Sequence, residues 1–120
     1  MKRKKIMGID TAACKESRMA MRDAIDVLSG KWKFSILMEL ATTSPMRFKD
    51  LQEAVAGISP KVLSNELYEL EQNLLITRTV NNTRPVTVSY ALTKYAYEAQ
   101  PVLLALIEFG GKHGKKIRGK

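Results

Sequence analysis

Four hydrogen-bonding side chains, Lys61, Ser64, Asn65 and Tyr68, recur at intervals of three and four residues just after Ser59-Pro60. That spacing places them on one face of an α-helix. Ser59 is a good N-cap and Pro60 suits the first helical position, where its missing N–H costs nothing, so the helix is predicted to start there and to run to about Asn73. A polar face of this composition suits nucleic acid. Lysine can donate to guanine or phosphate, the asparagine amide can pair bidentately with adenine, and serine can serve either a base or a phosphate. Glu66, Glu69 and Glu71 lie on or after the next turn, where phosphates would be farther away. Arg47, Lys49, Arg78, Asn82 and Arg84 are the candidates for phosphate or minor-groove contacts beside that helix.

Other chemistries find no residues to carry them. Cys14 and His113 are the sole cysteine and histidine, so neither an intrachain disulfide nor a Cys/His metal site can be assembled. There is no nucleophile with a base beside it, no pair of carboxylates in an apolar setting and no phosphate-cradling glycine loop. The sequence thus predicts no enzyme, cofactor or metal. No residue points to a small-molecule effector, and an oxidant effector would rest on Cys14 alone.

The net charge of +8 is concentrated at the ends. Lys2 to Lys5, with Lys112, Lys115, Lys116, Arg118 and Lys120, supply nine of the 20 basic residues, so eleven bases face twelve acids between Ile6 and Gly111. Bulk charge therefore argues only for solubilising or DNA-attracting tails. The basic N-terminus is followed by Gly8-Ile9-Asp10-Thr11 rather than an apolar stretch, and no run approaches the ~20 apolar residues of a membrane span, which predicts a cytoplasmic protein.

The elements that would position the polar face follow from periodicity. A helix over about Glu16 to Leu28 would turn Met19, Ala20, Ile25, Val27 and Leu28 inward, and Ser29-Gly30 ends it. A second, about Lys31 to Leu40, sets Trp32, Ile36, Leu37 and Leu40 in its apolar stripe, with Lys31 and Lys33 expected in solvent. Thr42-Thr43-Ser44-Pro45 turns the chain into a short extended Met46-Arg47-Phe48, then a helix from about Lys49 to Ala56 with Leu51 and Val55 inward. Gly57 separates this from the Pro60 helix, whose inner stripe is Val62, Leu63, Leu67, Leu70 and Leu74. Ile76–Val80 and Val86–Leu92 alternate as strands joined by an Asn-rich, Pro-bounded turn. Thr93 caps a last helix with a kink or break at Pro101, a broad apolar face from Ala99 to Phe109 and an end at Gly110-Gly111. The methionines are expected as packing filler.

The ordered runs Ile25–Lys33, Arg47–Leu51, Gly57–Leu63, Leu67–Glu71, Arg78–Val80, Pro85-Val86, Val88–Thr93 and Pro101–Leu103 resemble the HxlR family of winged-helix regulators, relatives of the MarR group. The resemblance spans roughly Met19 to Phe109. It implies a dimeric DNA-binding repressor or activator whose terminal helices build the dimer, here through Met19, Leu103, Leu106 and Phe109. Oxidant-sensing members use a cysteine at the position aligned with Met19; Cys14 lies five residues earlier, near Lys15 and Arg18, where it could form a Cys14 to Cys14 bridge or a mixed disulfide.

The expected architecture is mainly α with a small β-hairpin (α+β), a winged helix-turn-helix with terminal dimerisation helices. It comprises a basic flexible arm over residues 1–14, the winged domain over 15–111 and a basic tail over 112–120. The expected function is binding of double-stranded DNA as a homodimer on an inverted-repeat operator, without a membrane partner. The alternative is a winged-helix module that binds a protein partner and has no specific DNA site.

Overall fold

The structure is a computed structural model in which residues 5–10 and 14–119 are described. The chain divides into two compact units, Met1–Lys31 and Trp32–Lys120.

In the first unit, β1 (Lys5–Ile6) pairs antiparallel with β2 (Ile9–Asp10). Met7 and Gly8 between them both have positive φ, 56° and 79°, as a tight two-residue hairpin turn requires. This hairpin has no counterpart among the sequence expectations. Helix α1 (Cys14–Leu28) then follows the predicted range, but of its apolar residues only Leu28 is buried, while Met19, Met21 and Ile25 are more than half exposed.

The second unit contains the core. Helix α2 (Lys33–Thr42) starts two residues later than expected because Trp32 is its N-cap, and Trp32 is half-buried. Ile36, Leu37 and Leu40 are buried as their spacing predicts. Strand β3 (Met46–Arg47) leads into α3 (Phe48–Ala54), which buries Leu51, and Val55 is buried just beyond its end. Helix α4 (Pro60–Gln72) buries Leu63, Leu67 and Leu70. Leu74 departs from its expected inward place: the helix has ended, Leu74 takes φ +66°, and it is 67% exposed, whereas Leu75 is 3% exposed. The last turn of α4 thus hands the core position to the next residue.

Strands β4 (Ile76–Asn81) and β5 (Thr87–Leu92) form the expected hairpin, and β3 adds to its other edge in the order β3-β5-β4. Met46 faces Tyr90, Arg47 faces Ser89 and Arg78 faces Tyr90. The short extended piece before α3 is therefore the third strand of the wing sheet. Of the methionines, Met46 is buried, whereas Met7, Met19, Met21 and Met38 are exposed and fill no core gap.

A 3-10 segment (Tyr95–Ala99) precedes α5 (Gln100–Arg118), so the expected break at Pro101 is a change of helix type with proline in the first turn of α5. The expected stop at Gly110-Gly111 does not occur. The helix continues to Arg118 and ends at Gly119 in the left-handed conformation, so much of the expected C-terminal tail is helical. Two adjacent glycines lower helix stability by about 1 kcal/mol each relative to alanine, which does not suffice to end a helix whose flanks continue. Among the described residues no helix is long and apolar enough to cross a membrane.

Candidate nucleic-acid interface

Helices α3 and α4 with the turn through Gly57 form a helix-turn-helix. Gly57 has φ +87°, a conformation that L side chains rarely adopt, and the turn depends on it. The Ser59 hydroxyl accepts a hydrogen bond from the Val62 amide at 3.2 Å, so the predicted cap is formed and one otherwise unsatisfied N–H at the start of α4 is paired.

The outward face of α4 is the predicted polar one. Ser59, Pro60, Lys61, Ser64, Asn65 and Tyr68 are all exposed, with Tyr68 at 62%, while the Leu63, Leu67 and Leu70 stripe faces the core. The structure brings Lys61, Ser64, Asn65 and Tyr68 onto one surface, as helical spacing requires. Arg47 and Lys49 line an open recess with Phe48, Asp50, Glu53, Thr87 and Val88, which sets them beside strand β5 of the wing. Arg78 on β4, and Asn82 and Arg84 in the hairpin connection, are exposed.

Four side chains, Asn81, Thr83, Thr87 and Ser89, stiffen the wing tip. The Asn81 amide donates to Thr87 Oγ1 at 3.1 Å and to Ser89 Oγ at 2.6 Å, and the Thr83 hydroxyl donates to the Pro85 carbonyl at 2.9 Å. Arg84 lies between Thr83 and Pro85 and is carried by this network. The Asn-rich connection was legible as a turn, but the cross-strand role of Asn81 was not, because it depends on the register that pairs Asn81 with Thr87.

Lys33 overturns its expected place in solvent. It is 5% exposed, and its ammonium donates to the carboxylates of both Glu66 and Glu69 on α4. Burial alone would lower its pKa, but the hydrogen bonds and charges of the two carboxylates outweigh that and hold it above the ordinary 10.5. A signal existed in the sequence: Lys33 falls in register with Ile36, Leu37 and Leu40, so it lies on the inward stripe of α2. The two acids are consequently engaged with Lys33 on the flank of α4.

The remaining candidates lie elsewhere. Cys14 is the first residue of α1 and half-buried, and Arg18 Nε donates to its Sγ at 3.4 Å. On α5 no residue is buried: Leu103 is half-buried, Leu106 is exposed, and Phe109 is 66% exposed with its ring stacked on His113 at 5.8 Å between centroids.

A helix-turn-helix whose second helix presents polar side chains, followed at once by the β4–β5 hairpin of a three-stranded wing sheet, defines a winged helix-turn-helix regulator. The model of the HxlR-like helix-turn-helix family matches residues 27–118, and the chain belongs to that family of transcriptional regulators. It is 38% identical over 89 residues to the HTH-type transcriptional regulator BH0655 of Halalkalibacterium halodurans, covering 74% of this chain and 79% of that one. It is 35% identical over 82 residues to the HTH-type transcriptional regulator YodB of Bacillus subtilis, covering 68% of this chain and 72% of YodB. Among solved structures it is similar to the redox regulator HypR in its reduced form, with a TM-score of 0.76 and 25% identity over 84% of this chain and 99% of HypR.

Proposed function

We propose that this regulator binds duplex DNA sequence-specifically as a homodimer and represses transcription from an inverted-repeat operator. Each subunit places α4 in a major groove and its wing against the neighbouring backbone or minor groove, with half-sites about one helical turn or a small multiple apart. The observation that carries this reading is the outward face of α4, where Lys61, Ser64, Asn65 and Tyr68 stand exposed opposite a buried leucine stripe. Arg47, Lys49, Arg78, Asn82 and Arg84 supply phosphate contacts. The exposed apolar side chains of α5, Leu106 and Phe109 among them, with the half-buried Leu103, suit a second copy of the chain, as does exposed Met19 on α1.

The test is a fluorescence-anisotropy titration against the DNA upstream of the protein's own gene, with a shuffled duplex as control, at two salt concentrations. A strong preference for the upstream fragment, saturating at two subunits per site, is the expected result. Equal binding to both, with the same outcome for duplexes selected from genomic fragments, would reject specific recognition and favour the protein-interaction alternative.

A second observation favours an oxidant effector. Cys14 has the guanidinium of Arg18 against its sulfur, in a chain similar to the redox regulator HypR. Two Cys14 thiols from two subunits would lose two protons and two electrons to diamide, forming one disulfide and the reduced hydrazine. Unchanged DNA affinity with Cys14 shown to be oxidised would remove this role.

A further inference from the structure

On α4 the side chains sort into three sectors, since successive residues turn about 100° around the axis. The buried stripe of Leu63, Leu67 and Leu70 defines one. Ser64, Tyr68, Lys61 and Asn65 lie on roughly the opposite side, about 100° to 200° round from Leu63. Glu66 and Glu69 occupy the flank between, next to Asn65, and both carboxylates close on the single ammonium of Lys33. A leucine stripe alone forbids a large rotation, which would expose it, but tolerates a small roll, because apolar contact is non-directional. Charge-assisted hydrogen bonds are directional, and two of them from one fixed donor to acceptors three residues apart resist rotation about the helix axis.

We infer that Lys33 is a positioning residue for DNA reading: from α2 it fixes the roll of α4 through Glu66 and Glu69, and so sets where Asn65, Ser64 and Lys61 meet the base edges. This rests on the proposal that α4 reads DNA. The magnitude suffices, because a 20° roll moves a side-chain tip about 6 Å from the axis by roughly 2 Å, whereas a functional group must be held to about 0.5 Å and 10–20°. The arrangement also keeps two carboxylates beside the reading face paired with a cation, where they would otherwise repel phosphate.

The decisive variant is Lys33→Met/Glu66→Gln/Glu69→Gln, which keeps the side-chain shapes and leaves no buried charge unpaired. Wild type, this variant and Asn65→Ala are titrated against the duplex that wild type selects from a random-sequence pool and against its shuffled control, with thermal unfolding recorded in parallel. The expected result is a folded triple variant whose binding to shuffled DNA is undiminished but whose preference for the selected duplex falls roughly fivefold or more, the low end of what a lost bidentate base contact removes. A purely structural role would change the melting temperature and both affinities together. A folded triple variant with full preference, alongside an Asn65→Ala that has lost it, overturns the inference and leaves the reading by α4 intact. If wild type selects no duplex, the reading itself fails and the inference with it. Should the triple variant not fold, Glu69→Ala at an exposed helical position decides: a preference reduced by at least threefold supports the role of Lys33, and an unchanged one overturns it.

Discussion

The Thr93 hydroxyl donates to the Leu74 carbonyl at 2.7 Å, tying the residue that follows β5 to the chain just beyond the end of α4. The same oxygen lies 3.2 Å from the Leu75 carbonyl and accepts from the Ala96 amide at 3.1 Å, while the Thr93 amide donates to Leu75 O at 3.1 Å. One side chain thus joins the helix that presents the polar face, the wing and the segment leading into α5. Thr93→Val keeps the shape and deletes the hydroxyl, and it is expected to cost about 1 kcal/mol of folding stability, since much of the site stays accessible to water. Thr93→Ser should recover most of that. Urea unfolding of the three proteins checks it, and an unchanged midpoint for the valine variant would show that the hydroxyl holds nothing.

The Lys33 pair makes stability depend on pH at the alkaline end. With a folded pKa above the ordinary 10.5, its contribution is fully present below the unfolded value and is lost as pH rises through the folded one. The melting temperature of wild type should carry an alkaline fall, setting in above about pH 10.5, that Lys33→Met/Glu66→Gln/Glu69→Gln lacks. Parallel curves for the two proteins would refute the assignment. Lys33→Met alone leaves two carboxylates without their cation, but Glu69 is exposed and Glu66 only half-buried, so water takes over much of their solvation and the cost should be about 1–2 kcal/mol.

The elements that carry strong periodicity were legible. Leu63, Leu67 and Leu70 announce the inner face of α4, and Ser59-Pro60 marks its first turn, with Ser59 as the capping residue. The departures have two causes, contacts between distant residues and local backbone geometry that periodicity does not carry. Lys33 looked solvated because lysine usually is, and only the arrival of Glu66 and Glu69 some thirty residues later makes its burial tolerable. Gly110 and Gly111 looked like a stop, yet α5 passes through both. Leu74 and Leu75 exchange roles because a single positive φ lies between pattern and outcome. The polar surface of α4 followed from spacing, whereas the sheet that joins Arg47 to the wing did not, since two residues of β3 carry no alternation to read.

Gly57→Ala tests the turn of the helix-turn-helix. A Cβ there would lie 3.9 Å from Trp32 Cη2, an ordinary contact, so the cost arises from φ +87° rather than from crowding. A loss of about 1–2 kcal/mol is expected, measured by chemical denaturation. A much larger loss would mean that Trp32 is forced to move, and none would mean that the turn relaxes to another conformation.

Asn65 and Arg84 should separate reading from holding. Asn65 stands on the outward face of α4, and under the proposed function a bidentate amide contact from it to adenine would discriminate by about 1–3 kcal/mol. Asn65→Ala should therefore weaken the preferred duplex by that amount while leaving shuffled DNA unaffected. Arg84, at the tip of a wing braced by Thr83 and Asn81, carries charge but sits where the backbone would pass. Its replacement by alanine should weaken both duplexes alike and lower the slope of log affinity against log salt by about one. The two slopes and the two preferences come from the same titrations. Reversal of the pattern, with Arg84→Ala relaxing preference and Asn65→Ala lowering both affinities equally, would move the proposed base reading from α4 to the wing, where an arginine can recognise a narrow minor groove by its shape.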